Sequence, residues 1–185
     1  MKLLPLSAAL VAAGMISTQV IADDVNQRIE KLEREINRLV KNYPEKRSAS
    51  LMVLHALQDE FGHISRKAEK WAADKLELQP INIHELVTFY PMLREHDPGK
   101  TVVRVCRTLS CALAGSSRLH GHICERLGLD AGAPGLQRTK DGKYGVEYAE
   151  CLASCGTGPV MMCNDDFYEN VTNDGADEIL EKYDE

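Results

Sequence analysis

The chain has 185 residues, 44% hydrophobic and 27% charged, enough for one large domain or two small ones with a real core. Acidic residues outnumber basic ones by 28 to 22, for a net charge of −6. That balance lacks the Lys/Arg-rich face that grips phosphate, and neither a G-x-G-x-x-G nor a P-loop occurs, so a nucleic-acid partner and a nucleotide cradle on this chain are both disfavoured.

Residues 1–22 carry one charge, Lys2, then an apolar stretch from Leu3 to Ile16, and Val20-Ile21-Ala22 fits a small-residue cleavage pattern. The segment resembles a secretory leader or is an N-terminal extension. Pro5, Ser7 and Gly14 interrupt it too often for a membrane span.

From Asp23 to about Leu93 the pattern is helical. Val25, Ile29, Leu32, Ile36, Leu39 and Val40 recur at three and four, and Pro44 stops the run. The charges between Glu30 and Arg38 read as a solvated face. Ser48 is predicted to cap a second helix, Ala49 to Phe61, ended by Gly62. Ser65 is predicted to cap a third, through Trp71 to about Leu78. Asn82 with Glu85 looks like a capping box for a fourth, ending near Tyr90. The leucines, Trp71, Phe89 and Tyr90 are expected to pack a small bundle spanning residues 23–95. A polar linker, Glu95 to Lys100, follows and marks a domain boundary.

The period then changes. Thr101 to Val105 reads as a buried strand and Cys111 to about Leu127 as a helix ended by Gly128. Leu136–Lys140 and Lys143–Glu150 read as strands joined at Asp141-Gly142. Val160–Asn164 and Phe167–Val171 form a second hairpin across Asp165-Asp166, which explains those carboxylates better than a metal pair does. Asp174 or Asp177 starts a closing helix, Glu178 to Tyr183. The expected fold class is α+β: a small helical bundle, then a domain of thioredoxin-like size over residues 101–185.

Four of the six cysteines stand in pairs. Cys106 and Cys111 lie in VCRTLSCALAG, directly after the strand-like TVVRV. Cys151 and Cys155 lie in ECLASCGTGP, directly after YGVEYAE. Two such loops at the ends of two strands can bring four thiolates to one point, where they would hold a [2Fe–2S] cluster or a Zn²⁺ ion. The spacings are C-x4-C and C-x3-C. Zinc knuckles favour C-x2-C, and so does thioredoxin-type dithiol chemistry. The common ferredoxin spacings do not match either. Longer loops can span two irons and turn backbone N–H groups toward the sulfurs, with Gly115, Gly156 and Gly158 permitting close approach. On spacing alone a [2Fe–2S] site, a zinc site and disulfides or buried thiols all remain open.

ECLASCGTGPVMMCNDDFYENVT and VRVCRTLSCALAGS resemble the thioredoxin-like [2Fe–2S] ferredoxin family, typified by the NuoE-type subunit of NADH:quinone oxidoreductase, respiratory complex I. YPEKRSASLMVLHALQDEFGHIS and HELVTFYPMLREHDPGK extend the resemblance through the helical half, from about Ile29 onward. It implies that Cys106, Cys111, Cys151 and Cys155 ligate one [2Fe–2S] cluster, two to each iron. It implies an electron-transfer subunit that works beside an FMN- and NADH-binding flavoprotein subunit and an Fe–S subunit. Neither FMN nor NADH would bind this chain, and any contact with the inner face of the cell membrane would run through the complex, from the cytoplasmic side. The same module serves NAD-linked hydrogenases and formate dehydrogenases. A structural zinc module and a disulfide-bonded assembly protein are the alternatives of another class. No catalytic constellation is expected on the chain. Cys124 and Cys163 are expected in the core, and the six histidines are expected to face solvent.

Overall fold

The computed structural model describes residues 30–184, so the leader-like residues 1–22 lie outside the described part. The described residues divide between His96 and Asp97 into two compact units. Among them, no helix is long and apolar enough to cross a membrane.

The first unit is helical. Helix α1 occupies residues 30–41. A single 3₁₀ turn, Lys46–Ala49, leads into α2 (Ser50–Phe61), followed by α3 (Arg66–Leu76) and α4 (Pro80–Phe89). Ile36, Val53, Leu54, Ile64, Ala72, Leu76 and Ile83 form the core, with Trp71 packed at its edge. Gly62 closes α2 in the left-handed conformation, at φ 77°, its N–H on the Gln58 carbonyl. Ser65 caps α3, its hydroxyl accepting from the Ala68 amide at 3.3 Å.

Three local expectations fail here. Ser48 lies inside the 3₁₀ turn rather than capping α2, which starts two residues later. Asn82 and Glu85 form no capping box, because Pro80 opens α4 at its first position with φ already set for a helix. Phe89 and Tyr90 are exposed, at 75% and 38%, and not in the core. Ile83 and Val87 occupy the buried face of α4, which turns Phe89 to the opposite side. The two rings pack edge to face on each other, 5.1 Å between centroids.

The second unit is a mixed five-stranded sheet with helices, which places the chain in the α+β class. Its strands are β1 (Thr101–Cys106), β2 (Gln137–Arg138), β3 (Tyr144–Ala149), β4 (Met161–Cys163) and β5 (Asp166–Tyr168), in the order β2-β3-β1-β4-β5. β1 pairs parallel with β3 and antiparallel with β4. Helices α5 (Leu109–Leu113) and α6 (Ser116–Arg126) lie in the crossover between β1 and β3, and α7 (Asn173–Glu181) closes the chain. Val103, Val105, Val146, Met161 and Cys163 from the sheet pack against Leu119, Ile123 and Cys124 of α6 and Ala176, Ile179 and Leu180 of α7. Cys124 and Cys163 are therefore core residues.

The predicted helix from Cys111 to Leu127 is two helices, broken at Gly115, whose φ of 103° is left-handed. The second hairpin turns at Asn164-Asp165, one residue early. Asn164 takes φ 52°, and Asp166 already pairs with Cys163 in β5. Thr172, not Asp174 or Asp177, caps α7 by accepting from the Gly175 amide at 3.1 Å.

Candidate metal centre

Strand register explains why the cysteine loops meet. In the parallel β1–β3 pair Cys106 lies opposite Ala149, so both strands finish side by side. Parallel strands point the same way, and the segments that leave them emerge at one end of the sheet. From β1 that segment carries Cys111 in α5. From β3 it carries Cys151 and Cys155. The junction is bonded on both sides: the Arg107 amide donates to Ala149 O at 2.9 Å and the Cys106 amide to Val160 O at 3.0 Å.

The four sulfurs divide by environment. Cys106 and Cys111 are buried with Val160 in a small cluster flanked by Leu152, whereas Cys151 and Cys155 are exposed. Burial alone would push Cys106 up. The hydroxyl and amide of Thr108, the Leu152 amide and the Cys111 thiol all bond to its sulfur and bring it below the ordinary thiol value. Thr108 Oγ1 lies 3.3 Å from Cys106 Sγ. Cys111 goes the other way: burial and its bond to Cys106 raise it, against the Val160 amide. The Ala153 amide reaches Cys151 Sγ at 3.4 Å. Ala153 stands at φ 59°, a left-handed conformation uncommon for a residue with a side chain, and this bend presents successive amides to the sulfurs. A methyl group on Gly158 would lie 3.3 Å from Cys111 Sγ, so glycine there lets the backbone close over the buried sulfur.

This donor set fits an iron–sulfur group. It offers four thiols, all free, with N–H donors already aimed at three of the sulfurs.

The expectation that the histidines face solvent fails for His120, and His55, His63, His84 and His122 are only partly exposed. Only His96 is exposed. His120 is buried, stacked on Tyr148 with 3.8 Å between centroids, and its Nε2 lies 3.7 Å from Cys124 Sγ. Burial holds it below the ordinary histidine value. His84 is half-buried against Glu69, 3.3 Å away, where Arg66 also bonds to Glu69. The spacing of His120 with Leu119, Ile123 and Cys124 on one helical face was the available signal for its burial.

Over residues 36–184 the chain matches the family model described as thioredoxin-like [2Fe-2S] ferredoxin. It is 34% identical over 154 residues to the E-type component of the NADH-quinone oxidoreductase of Aquifex aeolicus, covering 83% of this chain and 94% of that protein. It is 27% identical over 154 residues to the NADP-reducing hydrogenase subunit HndA of Solidesulfovibrio fructosivorans, covering 83% and 88%. The air-oxidised NAD+-reducing [NiFe]-hydrogenase superposes with a TM-score of 0.60 at 22% identity, over 70% of this chain and 22% of that one, a likeness of fold. The chain belongs to the thioredoxin-like [2Fe-2S] ferredoxin family.

Proposed function

We propose that Cys106, Cys111, Cys151 and Cys155 ligate one [2Fe–2S] cluster, one pair to each iron, and that the chain is the electron-transfer subunit of an NADH:quinone oxidoreductase. The observation that supports this reading is that β1 and β3 finish side by side, so both cysteine pairs follow from one end of the sheet. The bound cluster would supply one-electron redox chemistry. The chain supplies the rest. Amides of Thr108, Leu152 and Val160 donate toward the two buried sulfurs, which favours added negative charge. Cys151 and Cys155 face solvent, so electrons would enter and leave on that side. Outer-sphere transfer needs no general acid or base on this chain.

The partner would be a subunit carrying FMN and NADH, with a further Fe–S subunit, on the cytoplasmic side of the membrane and touching it only through the complex. Residues 101–185 would form the cluster domain and residues 23–95 a helical domain. A second reading, the same module in an NAD(P)-linked hydrogenase, is favoured by the likeness to the hydrogenase subunit.

Anaerobic purification with iron and acid-labile sulfide analysis tests the core of the proposal. Two irons and two sulfides per chain, with a paramagnetic signal on reduction, are expected. Colourless protein with stoichiometric zinc would overturn it.

A further inference from the structure

We propose that Glu169 is a positioning residue for the loop that carries Cys155. This rests on the ligand reading of Cys155 above. Glu169 follows β5 directly, and its carboxylate reaches across to the cysteine loop. Its Oε1 accepts from Thr157 Oγ1 at 2.5 Å and from Ser154 Oγ. These hydroxyls flank Cys155 on either side, and they also lie 2.6 Å from each other.

The backbone extends the attachment. The Asn170 amide donates to Thr157 O at 2.7 Å, with Asn170 in the left-handed conformation at φ 51°. The Val171 amide donates to Pro159 O at 3.0 Å. Three consecutive residues, 169–171, thus grip the stretch from Ser154 to Pro159. Within that stretch the Thr157 amide closes one 3₁₀ turn on Ser154 O at 3.2 Å. Cys151 has its own local support in the Ala153 amide. For Cys155 the corresponding support comes from outside the loop, through hydroxyl bonds to a carboxylate. Bonds of this charge-assisted kind are stronger than neutral ones, and these two hold the Glu169 carboxyl below its ordinary value.

Two substitutions separate the acceptor from its charge. Glu169→Gln keeps an oxygen that both hydroxyls can reach, and Glu169→Ala removes it. Hydrogen exchange is measured on the full chain without its cluster. The Thr157 and Asn170 amides are expected to exchange roughly tenfold faster in Glu169→Ala, the factor that loss of such a bond produces. In Glu169→Gln, which keeps an acceptor but loses its charge, they are expected to exchange at a rate between those of the unsubstituted chain and Glu169→Ala. After reconstitution, a chelator should strip iron fastest from Glu169→Ala and at an intermediate rate from Glu169→Gln. Unchanged exchange in Glu169→Ala, or Glu169→Gln as fast as Glu169→Ala, overturns the positioning role. Because exchange is read on the cluster-free chain, failure to find a cluster in the unsubstituted protein would sink the proposed function and leave this inference measurable.

Discussion

Replacing Cys163 and Cys151 by serine, one at a time, separates packing from ligation. Cys163 is fully buried in the core of the second unit, between Val103 on β1 and Asp166 on β5. Burial pushes its thiol up to about 12, with the Asp166 charge adding to the rise, so it behaves as a small apolar side chain. A hydroxyl in that place would be a polar group buried among apolar side chains, and without a good acceptor it costs about 1–3 kcal/mol. Cys151 is exposed, and its sulfur accepts one long bond from the Ala153 amide. Serine there should change the stability of the cluster-free chain by no more than about 0.5 kcal/mol. The cluster responses should be the reverse. Cys163→Ser should keep full iron and sulfide content, while Cys151→Ser should lose most of it. Urea denaturation of the cluster-free chain, followed by the near-ultraviolet dichroism of Tyr144, Tyr148, Tyr168 and Tyr183, gives the first quantity. Iron and sulfide analysis gives the second. If Cys163→Ser bleaches the protein and Cys151→Ser leaves it coloured and equally loaded, the ligand assignment is wrong.

Two further substitutions probe the packing of the second unit. A methyl group on Gly145 in β3 would stand 2.0 Å from the Pro98 carbonyl oxygen, which is backbone and cannot rotate away. Gly145→Ala should therefore cost about 3 kcal/mol by overpacking, and β3 amides that exchange as in the unsubstituted chain would refute this. Asp177 on α7 holds Arg126 at 2.7 Å and His122 at 2.9 Å on α6. Burial raises its carboxyl, but these two partners outweigh burial and leave it below the ordinary carboxylate value. A depressed folded-state value stabilises the fold above the unfolded carboxylate range and is lost as pH falls through the folded value. Asp177→Asn should therefore destabilise the second unit by about 0.5–1 kcal/mol at neutral pH. The gap should close in strong acid, and a gap that persists there would show that the ion pairs are not its source.

The features legible in the sequence were those set by one local signal. Gly62 and Ser65 end and begin helices as their types require, and Asp141-Gly142 turns the first hairpin with Gly142 at φ 73°. The position of the cysteine pairs was legible because one begins on the last residue of β1 and the other follows β3. The errors arose where two signals competed. Pro80 overrode the Asn82–Glu85 pattern, and Asn164 took the left-handed turn position offered by Asp165-Asp166. His120 looked solvent-facing because histidine is usually polar surface, yet its helical face is shared with Leu119 and Ile123. The Glu169 attachment was not legible at all. It joins residues 12 and 15 positions apart through side-chain oxygens, and no periodicity or spacing reports such a contact.

The division of the four cysteines into a buried and an exposed pair follows from the topology. β1 is the central strand, flanked by β3 and β4, so the residue at its end is covered from both sides. Cys106 is 2% exposed there, and Cys111 on the short α5 folds back onto it at 1%. β3 has only the short β2 beyond it, and Cys151 and Cys155 in the loop that follows it are exposed. On the ligand assignment proposed above, added negative charge would be met by several amide donors on the inner side, and by the Ala153 amide together with water or a partner on the outer side. A carrier that exchanges one electron at a time needs both: an inner wall that holds the ligands still and an outer wall thin enough for another cofactor to approach. A parallel strand pair with a covered strand at its centre supplies the two walls from one element order.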